Sequence, residues 1–252
     1  MSESLLEVRG LSVRYGGVAA LSRFDLDVAA GEIVGLIGPN GAGKTTCVDA
    51  LTGFTAPSDG SIRHRGRAAD GLSPHQRARA GFTRTFQSLE LFDDLSVREN
   101  LAVGASVPGW RSTLTDGLWR KPVAGSGVDE VIDLLAMGAW AERQPRELSN
   151  GQRHLVALGR GLVGRPSLLL LDEPAAGLDT AETAALATVL RSLPGWGTSV
   201  LLVDHDMALV FGVCDRVYVL DLGRCIAVGP PASVRADPAV VAAYLGPPEP
   251  PP

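Results

Sequence analysis

The chain of 252 residues contains no apolar run near the ~20 residues that a membrane-crossing helix needs. Its opening, Met1-Ser2-Glu3-Ser4, also lacks the charged region and apolar segment of a secretory leader. These absences make a soluble, cytosolic chain the expectation, with any work on a membrane done through a partner. Cysteine is scarce. Cys47, Cys214 and Cys225 are too few and too widely spaced for a disulfide framework or a zinc site, and read as reduced, partly buried thiols. Positive charge is short as well: a net charge of −5 argues against a nucleic-acid surface, which needs a basic patch. One basic run, Arg63, His64, Arg65 and Arg67, follows Ser61 and Ile62. It reads as an exposed edge strand whose charges discourage further pairing. Low complexity is confined to the proline-rich end, Gly246 to Pro252, which reads as a frayed tail.

What is present begins with apolar residues at 45%, enough for a core of ordinary globular size. Thirty glycines and 17 prolines predict many tight turns. The length suits one domain, residues 1–245, with a smaller subdomain inside it. Leu5 to Val8 and Phe24 to Val28 have strand-like patterning, and Ile33-Val34-Gly35-Leu36-Ile37 is apolar throughout. A continuous run of that length fits a strand buried on both faces of a parallel sheet. Leu168 to Leu171 and Val200 to Val203 are further short runs of this kind, with a helical pattern around Ala184 to Leu190 between them. Strand, helix, strand in this order implies parallel pairing with right-handed crossovers. Val217 to Leu220 and Cys225 to Val228 read as a hairpin turning at Asp221-Leu222-Gly223-Arg224.

Between residues 95 and 150 the pattern turns helical. Ser96 with Glu99 three residues on is a helix start, and Val128, Val131, Ile132, Leu134 and Leu135 recur at helical spacing. A connector over residues 104–127, with Trp110 and Trp119, joins the two. The expected fold is α/β with a helical insertion.

Gly38-Pro39-Asn40-Gly41-Ala42-Gly43-Lys44-Thr45 satisfies G-x-x-x-x-G-K-[ST] without a mismatch, and it sits between a buried-strand run and a helix. Glycines let successive backbone N–H groups face phosphate oxygens, and the helix that follows adds its positive end. Lys44 supplies a point charge to the outer phosphates and Thr45 a hydroxyl for Mg²⁺. Farther on, Leu168 to Leu171 runs straight into Asp172-Glu173-Pro174. A carboxylate at the C-terminal end of a parallel strand lies where such sheets place ligand chemistry. Asp172 is therefore a candidate for holding Mg²⁺ and Glu173 for polarising an attacking water.

Leu148-Ser149-Asn150-Gly151-Gln152, about twenty residues before the acidic pair, resembles the signature motif of ABC ATPases. Gly177-Leu178-Asp179 is similar to the loop after the Walker-B strand of that family, His205 to its switch histidine, and Gln87 to the glutamine of its lid loop. Tyr15 matches the aromatic residue that stacks on adenine. The resemblance implies a P-loop NTPase cassette: a mainly parallel core sheet, an antiparallel β subdomain and a helical subdomain. It implies ATP and Mg²⁺ as cofactors. Nucleotide would be held by Tyr15, by Gly38, Pro39, Asn40, Gly41, Ala42, Gly43, Lys44, Thr45 and Thr46, and by Ser149, Gly151 and Gln152. Metal would be held by Thr45, Gln87 and Asp172, and catalysis would use Glu173, His205, Gln87 and Lys44. Ser149 and Gly151 would act on the phosphate bound by a second ATPase subunit. The chain departs from the family at Asn150, where glycine is usual, and at Asp204, where glutamate is common before the histidine.

Thr83-Arg84-Thr85-Phe86-Gln87, the stretch Leu91 to Asn100, Arg14 to Gly17, and Pro238 through Gly246 resemble one ATPase subunit of bacterial branched-chain amino acid importers. That implies a heterodimer or homodimer of ATPase subunits, permease partners, indirectly a solute-binding protein, no nucleic acid, and a place at the cytoplasmic face of the membrane. Urea or short-amide importers share much of the pattern. The same motifs also fit a lipid-export cassette, or a soluble ABC ATPase acting on nucleic acid or translation.

Overall fold

A computed structural model describes residues 4–85, 90–105 and 127–245. Gln87, Phe86, Trp110, Trp119 and the tail from Gly246 lie outside the described residues.

The chain opens with two long strands, β1 (Ser4–Tyr15) and β2 (Val18–Ala29), then the short β3 (Ile33–Ile37) and helix α1 (Lys44–Thr52). β4 (Asp59–His64), β5 (Arg67–Ala68), α2 (Pro74–Arg79) and β6 (Phe82–Thr85) follow. The helical stretch comes next, with α3 (Val97–Ala105), α4 (Val128–Leu134) and α5 (Asn150–Leu162). Then come β7 (Leu168–Asp172), α6 (Thr180–Ser192), β8 (Ser199–Val203) and α7 (Met207–Val213). The chain ends on the hairpin of β9 (Arg216–Asp221) and β10 (Arg224–Gly229), then α8 (Pro231–Arg235) and α9 (Pro238–Leu245).

Among the described residues these strands form two sheets. One is antiparallel, in the order β2-β1-β4-β5; the other is ordered β10-β9-β3-β8-β7-β6. In the second, β9, β3, β8, β7 and β6 run parallel and β10 pairs antiparallel with β9. Every residue of β3, β7 and β8 is buried, which explains why these segments read as unbroken apolar runs.

The sheet separates two cores, and strand alternation assigns residues between them. Leu169, Leu171, Val200, Leu202, Val217 and Val219 face one core with Val131, Val156 and Leu186. Leu168, Leu170, Leu201, Val203 and Leu220 face the other, with Val48 and Leu51 of α1 and with Leu6, Val8 and Leu26. Burying each such leucine contributes about 1.5–3 kcal/mol over leaving it exposed. The antiparallel sheet is thereby pressed onto the face that carries α1.

The helical stretch between β6 and β7 starts where expected: Ser96 N–H donates to Glu99 Oε2 at 2.8 Å and Glu99 N–H to Ser96 Oγ at 3.2 Å. It runs on through α5 to Leu162. Cys47 and Cys214 are buried and Cys225 is exposed. No helix among the described residues is long and apolar enough to cross a membrane.

The basic run overturns one expectation. β4 is not an edge strand: it lies between β1 and β5, with Leu6 registered on His64 and Val8 on Ile62. His64 is 5% exposed. Its Nε2 lies 3.0 Å from Ser167 Oγ, and its ring packs on Phe82 at 4.5 Å between centroids. Alternation puts Ile62 and His64 inward while Arg63 and Arg65 stay exposed.

Candidate active site

β3 delivers the chain to Gly38, whose φ of 154° and close neighbours leave no room for a side chain. A Cβ there would collide with the carbonyl of Leu220 on β9. α1 then begins at Lys44 with Gly43 as its N-cap and no side chain capping it. The first-turn amides of this 9-residue helix thus have no side-chain cap, an arrangement that can take an anion, and Thr45 and Thr46 stand in that turn. Lys44 folds back over the loop, its Nζ donating to the carbonyls of Gly38 at 2.7 Å and Pro39 at 3.1 Å. Burial lowers its pKa, an effect that the charges of Glu173 and Asp172 oppose. Lys44 is therefore placed near both acids.

The loop is braced from behind. Gly223, in the β9–β10 turn, donates its N–H to Ala42 O at 3.0 Å and accepts from Ser22 N–H at 2.8 Å. Burial pushes the phenol of Tyr244 on α9 up to about 12, and a backbone hydrogen bond from Gly38 works the other way. The last helix therefore reaches the first residue of the loop.

Asp172 closes β7 at 5% exposure. Glu173 follows with φ 51°, a left-handed conformation costing of order 1–3 kcal/mol for a residue of this type. It is held by its N–H bond to Val203 O at 2.7 Å. The strained turn aims the Glu173 carboxylate out of the strand line toward His205, whose Nδ1 lies 3.9 Å from Glu173 Oε1. His205 is also 3.7 Å from Asp204. Asp204 is buried, which raises its pKa, and it accepts from Ala175 N–H at 3.2 Å and Asp206 N–H at 2.9 Å. At the position where the family commonly has glutamate, this shorter acid ties the loop after β7 to the loop after β8.

Tyr15 is exposed at the end of β1, its hydroxyl 3.3 Å from Thr55 Oγ1. It pairs with Val18, two residues before Ala20, and a Cβ on Gly43 would lie 2.5 Å from the Ala20 carbonyl. The aromatic ring thus stands near the start of α1.

Ser149, Gly151 and Gln152 gather at a second place, the N-terminus of α5. Ser149 and Gln152 form a capping box: Ser149 N–H donates to Gln152 Oε1 at 2.9 Å and Gln152 N–H to Ser149 Oγ at 3.2 Å. Gly151 N–H donates to Glu182 Oε1 of α6 at 2.8 Å. A Cβ on Gly151 would come within 2.7 Å of that carboxylate, so a larger residue would push the Glu182 side chain aside. Asn150, the residue that departs from the family, donates its side-chain amide to Gly177 O at 2.8 Å. It fastens the signature to the loop that leads into α6.

Three side chains escaped sequence reasoning. Arg84 reaches Asp172 and Asp49, and Glu182 reaches Gly151. Asp49 carried a signal, since it lies one helical turn after Thr45 on the same face. Glu182 carried another, as the third residue of a helix capped by Asp179. For Arg84 there was none beyond its place in the stretch before Gln87.

The profile of the family described as ABC transporter matches residues 21–176, and that of the branched-chain amino acid ATP-binding cassette transporter matches 224–246. The chain is 41% identical to LivG of Salmonella typhimurium and of Escherichia coli K12, over 98% of this chain and 99% of each relative. Their name is high-affinity branched-chain amino acid transport ATP-binding protein. BraF of Pseudomonas aeruginosa, of the same description, is 38% identical over the same shares. Among solved structures, the ADP conformation of MJ1267, an ATP-binding cassette of an ABC transporter, superposes with a TM-score of 0.86. It is 28% identical and covers 97% of this chain and 99% of its own. CbiO1 from Clostridium perfringens, part of an ABC transporter complex, superposes at 0.81 with 27% identity, over 97% of this chain and 95% of its own. A parallel sheet, a phosphate loop, an acid pair and a capped signature helix, matched over nearly the whole length, make this chain a member of the ATP-binding proteins of ABC transporters.

Proposed function

We propose that the chain hydrolyses ATP to drive uptake of branched-chain or related amino acids through partner permeases. The observation that carries this reading is the similarity to LivG and BraF over 98% of the chain. The match of residues 224–246 to the branched-chain family supports it at the end where α9 meets the phosphate loop.

In this reading, backbone N–H groups from Gly38 to Thr45 and the Lys44 ammonium hold the phosphates, and Tyr15 packs on the base. The donor set suits Mg²⁺: the Thr45 hydroxyl and the Asp172 carboxylate are hard oxygens, few enough to leave places for phosphate oxygens and water. The metal, when bound, neutralises charge that develops on the transferred phosphate. Gln87 is the third residue assigned to it. Glu173 takes the proton of the attacking water, and His205, 3.9 Å away, orients that carboxylate and the water. Ser149, Gly151 and Gln152 act on the phosphate of a second ATPase subunit, so two chains close around each nucleotide. The partner is a second, different ATPase chain, docked with it beneath two permeases at the cytoplasmic face of the membrane and fed by a solute-binding protein.

Replacing Glu173 by glutamine tests the base. Binding of ATP should persist while turnover in the assembled transporter falls by about a hundredfold to ten-thousandfold. Near-normal hydrolysis would remove Glu173 from that role. Cargo is tested by uptake into vesicles holding the full complex: leucine is expected to enter on ATP, and uptake of urea or short amides in its place would overturn the assignment.

A further inference from the structure

Strand β6 carries Arg84 into a position that the proposed chemistry does not account for. Its side chain is 11% exposed and lies between two carboxylates, with Nη1 donating to Asp49 Oδ1 at 2.5 Å and Nη2 to Asp172 Oδ2 at 2.8 Å. Both acids belong to elements of the phosphate site. Asp49 shares the face of α1 that carries Thr45, one turn earlier, and Asp172 is the last residue of β7. β6 runs beside β7 with Arg84 registered on Leu170, so the side chain reaches along the sheet to the strand end.

A guanidinium has rigid donors on both arms and can fix two carboxylates in set directions; an ammonium is a point charge that cannot. Asp172 is also buried, so loss of the arginine removes a charge partner that water cannot replace. With Oδ2 committed to Arg84, Oδ1 is the oxygen left to a metal or its water. Asp49 holds the other arm and refers this orientation to the helix that begins at the phosphate loop.

We propose that Arg84 is a positioning residue for Asp172, setting the orientation in which that acid meets the nucleotide-bound metal. The proposal rests on the reading of Asp172 as the metal-holding acid. Its test compares ATP binding by the full chain in Mn²⁺ with binding in EDTA, and records the electron paramagnetic resonance spectrum of the bound Mn²⁺. In Arg84→Lys and Arg84→Ala the affinity ratio should fall about tenfold, the scale of lost outer-shell support at metal sites. Affinity in EDTA should stay within about twofold, and the spectrum should broaden as the ligand loses its fixed direction. Lysine keeps the charge and guards against a variant that fails to fold. An unchanged ratio and spectrum, with Asp172→Asn lowering the ratio, would overturn the role of Arg84 alone. Equal loss of affinity with and without metal would do so too, since that marks a structural prop. A ratio that Asp172→Asn leaves intact would overturn the reading of Asp172 and this proposal with it.

Discussion

His64 carries a cost at low pH. Burial, and after it the charge of Arg65, lowers its pKa from 6.5 to about 4. The folded state therefore prefers the neutral ring, while the unfolded chain takes up a proton near 6.5. Stability contributed by this residue is complete above 6.5 and is lost as pH falls from there toward 4. The urea midpoint of the chain should drop across that window, and His64→Gln, which keeps a partner for Ser167, should flatten the drop. A slope unchanged in the variant would assign it to other groups. The residue was hard to read because three arginines surround it and suggest a solvated run; only the phase of Ile62 shows that His64 points inward. Arg84 was hidden for a different reason. Its partners lie 35 and 88 residues away, a separation that no local pattern registers.

At the scale of elements, the helix starts of α2, α5 and α6 are set by paired caps: Ser73 with Gln76, Ser149 with Gln152, and Asp179 with Glu182. Ser149→Ala removes one such pair and should cost about 1 kcal/mol of stability, read from the denaturant midpoint. Glu173→Gln, which touches no cap, serves as the comparison; a stability loss no greater in Ser149→Ala would mean that the signature helix does not depend on its cap. Strands β3, β7 and β8 were legible because both faces are buried and the whole segment is apolar. β1 was legible only from Leu5 to Val8, yet it runs to Tyr15. Its pairing with β2 slips register between Val8 and Leu11 and again before Arg14, so the alternation that marks a strand breaks down. β6 was missed as a strand, since Thr83-Arg84-Thr85 has neither an apolar run nor a clean alternation.

For the molecule as a whole, the phosphate loop and the acid pair were legible because each is contiguous in sequence and follows a buried strand. What supports them is not contiguous. The loop is joined at Ala42 to the turn at Gly223, and that turn is joined to Ser22, so two distant stretches meet behind one short segment. This has a consequence for synthesis, which proceeds from the N-terminus. The ribosome makes residues 38–45 well before the turn at Gly223 that braces them. Nascent chains arrested at increasing lengths should gain protection of the loop by ATP only once Gly223 has left the exit tunnel. Protection in a chain that stops before Arg216 would refute this. If the order holds, a growing chain acquires nucleotide binding only after the β9–β10 turn has joined the loop, however early the loop itself was made.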